Sequence, residues 1–131
     1  MKKLIVGLFT LGALTLTLHA YDKVERKHDM QMMEASLTQI QAGILANNKK
    51  MALRGALNLK EIANKIEIPQ HKAEMDYKPK YAKKMARDIM KEIDIVSNKI
   101  ENGKLHSAIA GYSTILNKCV SCHRKIRSWN Y

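Results

Sequence analysis

Apolar residues recur along this chain at alternating spacings of three and four, while β-branched alternation is scarce and proline occurs only at positions 69 and 79. That period is the α-helical one, so the pattern predicts four amphipathic helices and almost no strand. The first runs from about Asp22 to Ala46, with Met30, Met33, Leu37, Ile40 and Ile44 on one face. Asn47-Asn48 breaks it and offers a cap for the next. The second runs from about Lys49 to Ile66 and turns Ala52, Ala56, Leu59, Ile62, Ala63 and Ile66 inward. A loop from Glu67 to Lys78 follows, and Pro79 suits the first turn of the third helix, where a missing N–H costs little. That helix continues to about Asn102, with Ala82, Met85, Ile89, Ile93, Val96 and Ile100 inward, and Asn102-Gly103 stops it. The fourth starts near Lys104 and carries Leu105, Ala108, Tyr112, Leu116, Cys119, His123 and Ile126 on one side. Two short connections and one longer middle loop suit an all-α fold, an antiparallel four-helix bundle.

The beginning of the chain follows a different pattern. Lys2 and Lys3 precede an apolar run from Leu4 to Leu18, and His19-Ala20 leads into the charged Asp22-Lys23. This is the layout of a secretory signal with its cleavage site, so residues 1–20 are expected to be a signal peptide and residues 21–131 the single mature domain. The alternative is an uncleaved anchor, but the run is shorter than the roughly 20 apolar residues that span a bilayer. A chain exported by such a signal is expected in the periplasm.

Composition adds one puzzle. The 131 residues suffice for one domain, and 46% hydrophobic residues exclude a disordered chain. Yet the only phenylalanine, Phe9, lies in the signal segment, and the only tryptophan, Trp129, lies near the end. Large aromatic rings usually fill the centre of a domain this size. Something other than side chains is expected to supply that bulk.

The last helix carries the candidate chemistry. Cys119-Val120-Ser121-Cys122-His123 is a C-x-x-C-H sequence, the pattern of c-type haem attachment. Thiols three residues apart on a helix lie on adjacent turns, where both can form thioethers to the vinyl groups of one porphyrin. The following imidazole then serves as proximal iron ligand. One covalent haem c is therefore the expected cofactor, bound by Cys119, Cys122 and His123. Two other readings stay open: a redox-active dithiol, whose reactive thiol needs a depressed pKa at a helix N-terminus, and a structural disulfide or zinc half-site, for which zinc needs further ligands. For the sixth iron position the first helix offers Met30 and Met33, one turn apart; methionines at this spacing also serve as core filler. Arg127 lies one turn beyond His123 on the same face, suited either to a haem propionate or to the negative end of the helix dipole. His28, His71 and His106 are expected to be exposed polar residues.

With these residues in place, the chain resembles the cytochrome c-prime family, including its six-coordinate low-spin members. Those proteins are exported four-helix bundles with C-x-x-C-H near the end of the last helix, as in Cys119–Arg127, CVSCHRKIR. Arg127 stands where family members often carry an arginine, four residues after the haem histidine. Arg26 and Met30 match the family's first-helix pattern of a basic residue followed four positions later by the residue over the distal haem face. The chain departs from the family in Ile126, where an aromatic is often found, and in Glu25, where a tyrosine is common. The resemblance implies a mono-haem c-type cytochrome with His123 and Met30 as axial ligands if the methionine reaches the iron. If it does not, it implies a five-coordinate protein that binds nitric oxide or carbon monoxide.

The formal net charge is +11, or +9 without Lys2 and Lys3 of the expected signal, and the lysines and arginines are scattered along all four helices, with no nucleic-acid motif and no base-stacking aromatic cluster. It suits steering toward redox partner proteins with acidic docking surfaces, or toward an anionic membrane. Pairing of two copies through helix faces is compatible with the pattern, which fixes no oligomeric state. One-electron transfer requires no side chain to act as acid, base or nucleophile, so the expectation is a carrier and not an enzyme. A haem-free thiol oxidoreductase is the remaining alternative.

Overall fold

The computed structural model describes residues 23–67 and 79–126. Residues 1–20, expected to be a signal peptide, together with Pro69, His71 and Arg127, lie outside the described residues. Four helices and no strands make up the described chain: α1 (Lys23–Leu45), α2 (Lys49–Glu67), α3 (Pro79–Glu101) and α4 (Leu105–Ile126). α1, α2 and α3 begin and end, and α4 begins, within one residue of the boundaries expected from the apolar period.

The two described connections show why the helices stop where they do. Asn47 (φ 50°) and Gly103 (φ 70°) both adopt the left-handed conformation just past a helix end. After α1, the Asn48 N–H donates to the Gly43 carbonyl (2.7 Å) and the Asn47 N–H to that of Ile44 (3.1 Å); after α3, Lys104 and Gly103 do the same to Lys99 (2.8 Å) and Ile100 (3.1 Å). These paired bonds satisfy carbonyls that the helix ends would leave open. The Asn48 side chain then accepts from the Met51 N–H (3.0 Å) and starts α2.

Cross-helix contacts set the topology. Lys65 meets Asp29, Lys49 donates to the Glu101 carbonyl, Lys60 meets Asp94, and Tyr81 donates to the Ser121 carbonyl. Asp29 and Lys65, Lys49 and Glu101, and Tyr81 and Ser121 each place the early part of one helix beside the late part of its neighbour, and Lys60–Asp94 keeps the same antiparallel register between α2 and α3, which defines an up-down-up-down bundle. Successive helices pack closely, whereas α1 and α4 hardly touch. Ile40, Leu59, Ile93, Val96 and Ile115 are almost wholly buried at the centre. Burial of each large aliphatic side chain stabilises the fold by roughly 1.5–3 kcal/mol.

On α4 the expected inward face needs one correction. Leu116 is exposed, and Ile115 is buried in its place. The face that meets the core is 108-112-115-119, and Leu116 lies off it. Ile126 is helical, but its side chain is not among those described.

The tight α1–α2 seam depends on small residues. A Cβ added at Gly43 would lie 2.7 Å from the Ala52 Cα and 2.8 Å from its Cβ. Backbone cannot yield there as a flexible side chain could. Gly43→Ala is therefore expected to destabilise the protein by about 1–3 kcal/mol. That outweighs the gain of about 1 kcal/mol in helix propensity. Urea unfolding followed by far-ultraviolet circular dichroism checks the sign, and a stabilised variant would refute the close seam.

Candidate functional site

At the end of the bundle where α1 begins and α4 finishes, the helices separate around a cleft of about 520 Å³. Its walls include Met30, Met33 and Leu37 from α1, Ile66 from α2, Ala82 and Ala86 from α3, and Cys119, Cys122 and His123 from α4, with Lys27, Gln31 and Glu34 at its rim. The apolar period explains the arrangement. At this end, inward positions that hold isoleucine elsewhere in α3 hold alanine, so the polypeptide leaves space instead of filling it. The volume lies within the range of small-molecule and cofactor sites.

The residues singled out in the sequence are thus brought together from opposite ends of the chain. Cys119, Cys122 and His123 are half-buried, with no disulfide joining the two thiols. Met30 is half-buried, whereas Met33 is buried and belongs to the hydrophobic core. His28 and His106 are exposed, and Met85 is core, as expected. Arg26 is half-buried one turn before Met30.

Sequence reading missed a buried carboxylate next to the site. Asp29, beside Met30 in the chain, is 2% exposed. Its Oδ1 lies 3.6 Å from Lys65 Nζ, while Oδ2 has no hydrogen-bond partner among the described residues. The pair ties the start of α1 to the end of α2. The available signal was the series Asp29, Met33, Ser36, Ile40, which continues the four-three-four period through two polar residues. Ser36 is also buried, its hydroxyl returned to the Met32 carbonyl at 2.7 Å.

Burial dominates the electrostatics of the thiols. It pushes Cys119 up to about 11 from an ordinary 9.0, with the neighbouring Cys122 adding to the shift, and it raises Cys122 as well. Tyr112, packed below, is raised first by burial and then by the charge of Cys119, and its hydroxyl donates to Gln41 Oε1 at 3.3 Å. The fold thus favours the neutral Cys119 thiol. In haem-free protein this contribution to stability is fully present below pH 9 and lost as pH rises through about 11. A thioether has no proton to lose, so attachment of haem would remove this dependence. The expected result is a urea midpoint that falls between pH 9 and 11 in haem-free protein more steeply than in haem-free Cys119→Ala. Parallel midpoints would show that the thiol is not held neutral.

Among the described residues, no three His, Cys, Asp or Glu side chains converge to hold a bare metal ion. A haem asks less of the protein, since the porphyrin supplies the equatorial nitrogens and the chain only the axial ligands. The cleft fits such a group: it is apolar, its α3 wall is cut back to alanine, and both thiols and the imidazole of C-x-x-C-H border it. No described helix is long and apolar enough to cross a membrane. Compared with known proteins, the chain matches no family model, no curated sequence and no solved structure.

Proposed function

We propose that this protein is an exported mono-haem c-type cytochrome that carries single electrons. The observation that carries the reading is the convergence of Cys119, Cys122, His123 and Met30 on one apolar cleft. The C-x-x-C-H motif supplies covalent anchors and a proximal ligand in one helical turn and a half. Met30, from the first helix, supplies a thioether on a wall of the same cleft. The resemblance to the cytochrome c-prime family rests on these residues and on the bundle that holds them.

Bound haem would exchange one electron between its ferric and ferrous states. Cys119 and Cys122 would fix the macrocycle to α4, and His123 and Met30 would hold the iron in both states. The aliphatic and alanine walls would exclude water and lower the local dielectric, which together with ligand identity sets the potential. Haem would also supply the bulk that the aromatic-poor chain omits.

The thiol-oxidoreductase reading fits poorly. A reactive dithiol needs a thiolate stabilised at a helix N-terminus. Here both thiols lie near the C-terminal end of α4, and burial pushes both pKa values up. The deciding experiment is an absorption spectrum with intact mass on protein matured in a host able to attach haem. A colourless product of bare polypeptide mass would overturn the proposal.

A further inference from the structure

The positive charge is not spread evenly around the cleft. On the α1 side, Lys27 and Glu34 share the rim. Between α2 and α3, Lys60 is neutralised by Asp94 at 2.6 Å. On the flank where α3 meets α4, six cations stand near two carboxylates. Lys80, Lys84 and Lys91 belong to α3; Lys118, Arg124 and Lys125 belong to α4; the acids are Asp88 and Glu92. Lys84 binds Asp88 at 2.9 Å, and Lys118 and Lys91 also attract the same carboxylate and help lower its pKa. One acid therefore answers three lysines and leaves most of their charge uncancelled.

Tyr81 organises the lower part of this flank. Its hydroxyl donates to the Ser121 carbonyl at 3.3 Å, and Lys125 Nζ rests 5.1 Å from the centre of its ring. The cation–π contact restrains Lys125 before anything binds, which lowers the ordering cost of an interface. Beside it, Ser121, Arg124 and Lys125 line an open surface depression of about 270 Å³. Lys118 and Lys125 stand four residues before and three after Cys122, so the three share one helical face. The charged flank thus borders a proposed haem attachment point.

We infer that this α3–α4 flank is the docking surface for the electron-exchange partner, and that the partner presents an acidic protein face to it. Ile95, half-exposed one turn beyond Lys91, gives the charged surface a small apolar contact, the composition of a transient protein interface. A membrane-binding helix would instead turn a broad apolar face outward, and that of α3 is spent on the core. Stacking of nucleic-acid bases would need open aromatic faces, and the Tyr81 ring is covered by Lys125. That the partner is a redox protein rests on the electron-carrier reading; affinity for acidic polypeptide does not.

Binding of a fluorescent poly-L-glutamate peptide at low salt tests the inference. Lys80→Glu/Lys84→Glu/Lys91→Glu is compared with Lys50→Glu/Arg54→Glu/Lys104→Glu, an equal charge change at the far end of the bundle. The flank triple is expected to weaken binding at least about tenfold, the distant triple less than about threefold. Glutamine versions of both triples give the same ranking without introducing like-charge pairs. Equal losses from both triples would overturn the inference, as would binding of phosphatidylglycerol–phosphatidylcholine vesicles in preference to the peptide. The spectrum of each preparation separates the two proposals. Coloured protein without flank specificity defeats the docking surface alone. Colourless protein with flank specificity defeats the electron carrier and, with it, the redox identity of the partner.

Discussion

Cys119→Ala/Cys122→Ala is expected to abolish covalent haem while leaving the helices in place. Wild-type protein matured by a haem-attaching host should be coloured, with a mass equal to the processed chain plus one haem. The double variant should have the mass of the chain alone, because thioethers are the only covalent route that these residues offer. Either single variant should keep haem through the remaining sulfur, with a correspondingly altered absorption band. The fold should survive, since Ile40, Leu59, Ile93, Val96 and Ile115 make up the centre of the core, while Cys119 packs only at its edge and Cys122 is half-buried. Helical circular dichroism of the colourless variant distinguishes loss of attachment from loss of structure. Wild-type protein of bare mass, folded and exported, would refute the haem reading outright.

Met30→Ala is expected to convert a low-spin ferric spectrum into a high-spin one, with loss of the thioether charge-transfer band. Met33→Ala should do neither. The two methionines border the same cleft, but Met33 is packed into the core and Met30 is half-buried at the wall. A residue fixed among core side chains is constrained by its neighbours, while one at a cleft wall is freer to turn toward a ligand. Truncating Met33 should instead reduce stability by about 2–5 kcal/mol, the usual cost of a large-to-small core change. Removing Met30 should cost less in stability and more in potential, because methionine ligation raises the potential of haem iron. A low-spin spectrum retained in Met30→Ala and lost in Met33→Ala would reverse the assignment. A wild-type spectrum already high-spin would favour the five-coordinate gas-binding alternative.

Much of this architecture was legible because helical period and punctuation agree. The stops at Asn47-Asn48 and Asn102-Gly103 are places where the chain must turn left-handed, and asparagine and glycine do so at low cost. The inward faces of α2 and α3 followed directly from the apolar spacing. On α4 the same reasoning placed Leu116 inside, since a seven-residue stripe can be drawn through either Ile115 or Leu116. Only the packing of the bundle, in which Val96 of α3 lies against Gly111, settles which one is buried.

The site divides the same way. C-x-x-C-H is a local pattern, so a linear sequence can display the two sulfurs and the imidazole as a unit. It can also list the methionines of the first helix. What it cannot display is that Met30 and His123, at opposite ends of the domain, meet in one cleft, because that depends on antiparallel pairing across the bundle. Nor can it show that Asp29 is buried on Lys65, or that lysines from two helices crowd around Asp88. Covalent chemistry and helix period are short-range properties written in neighbouring residues. Cavity shape, burial and charge focusing arise between segments distant in the chain, and only the tertiary structure decided them.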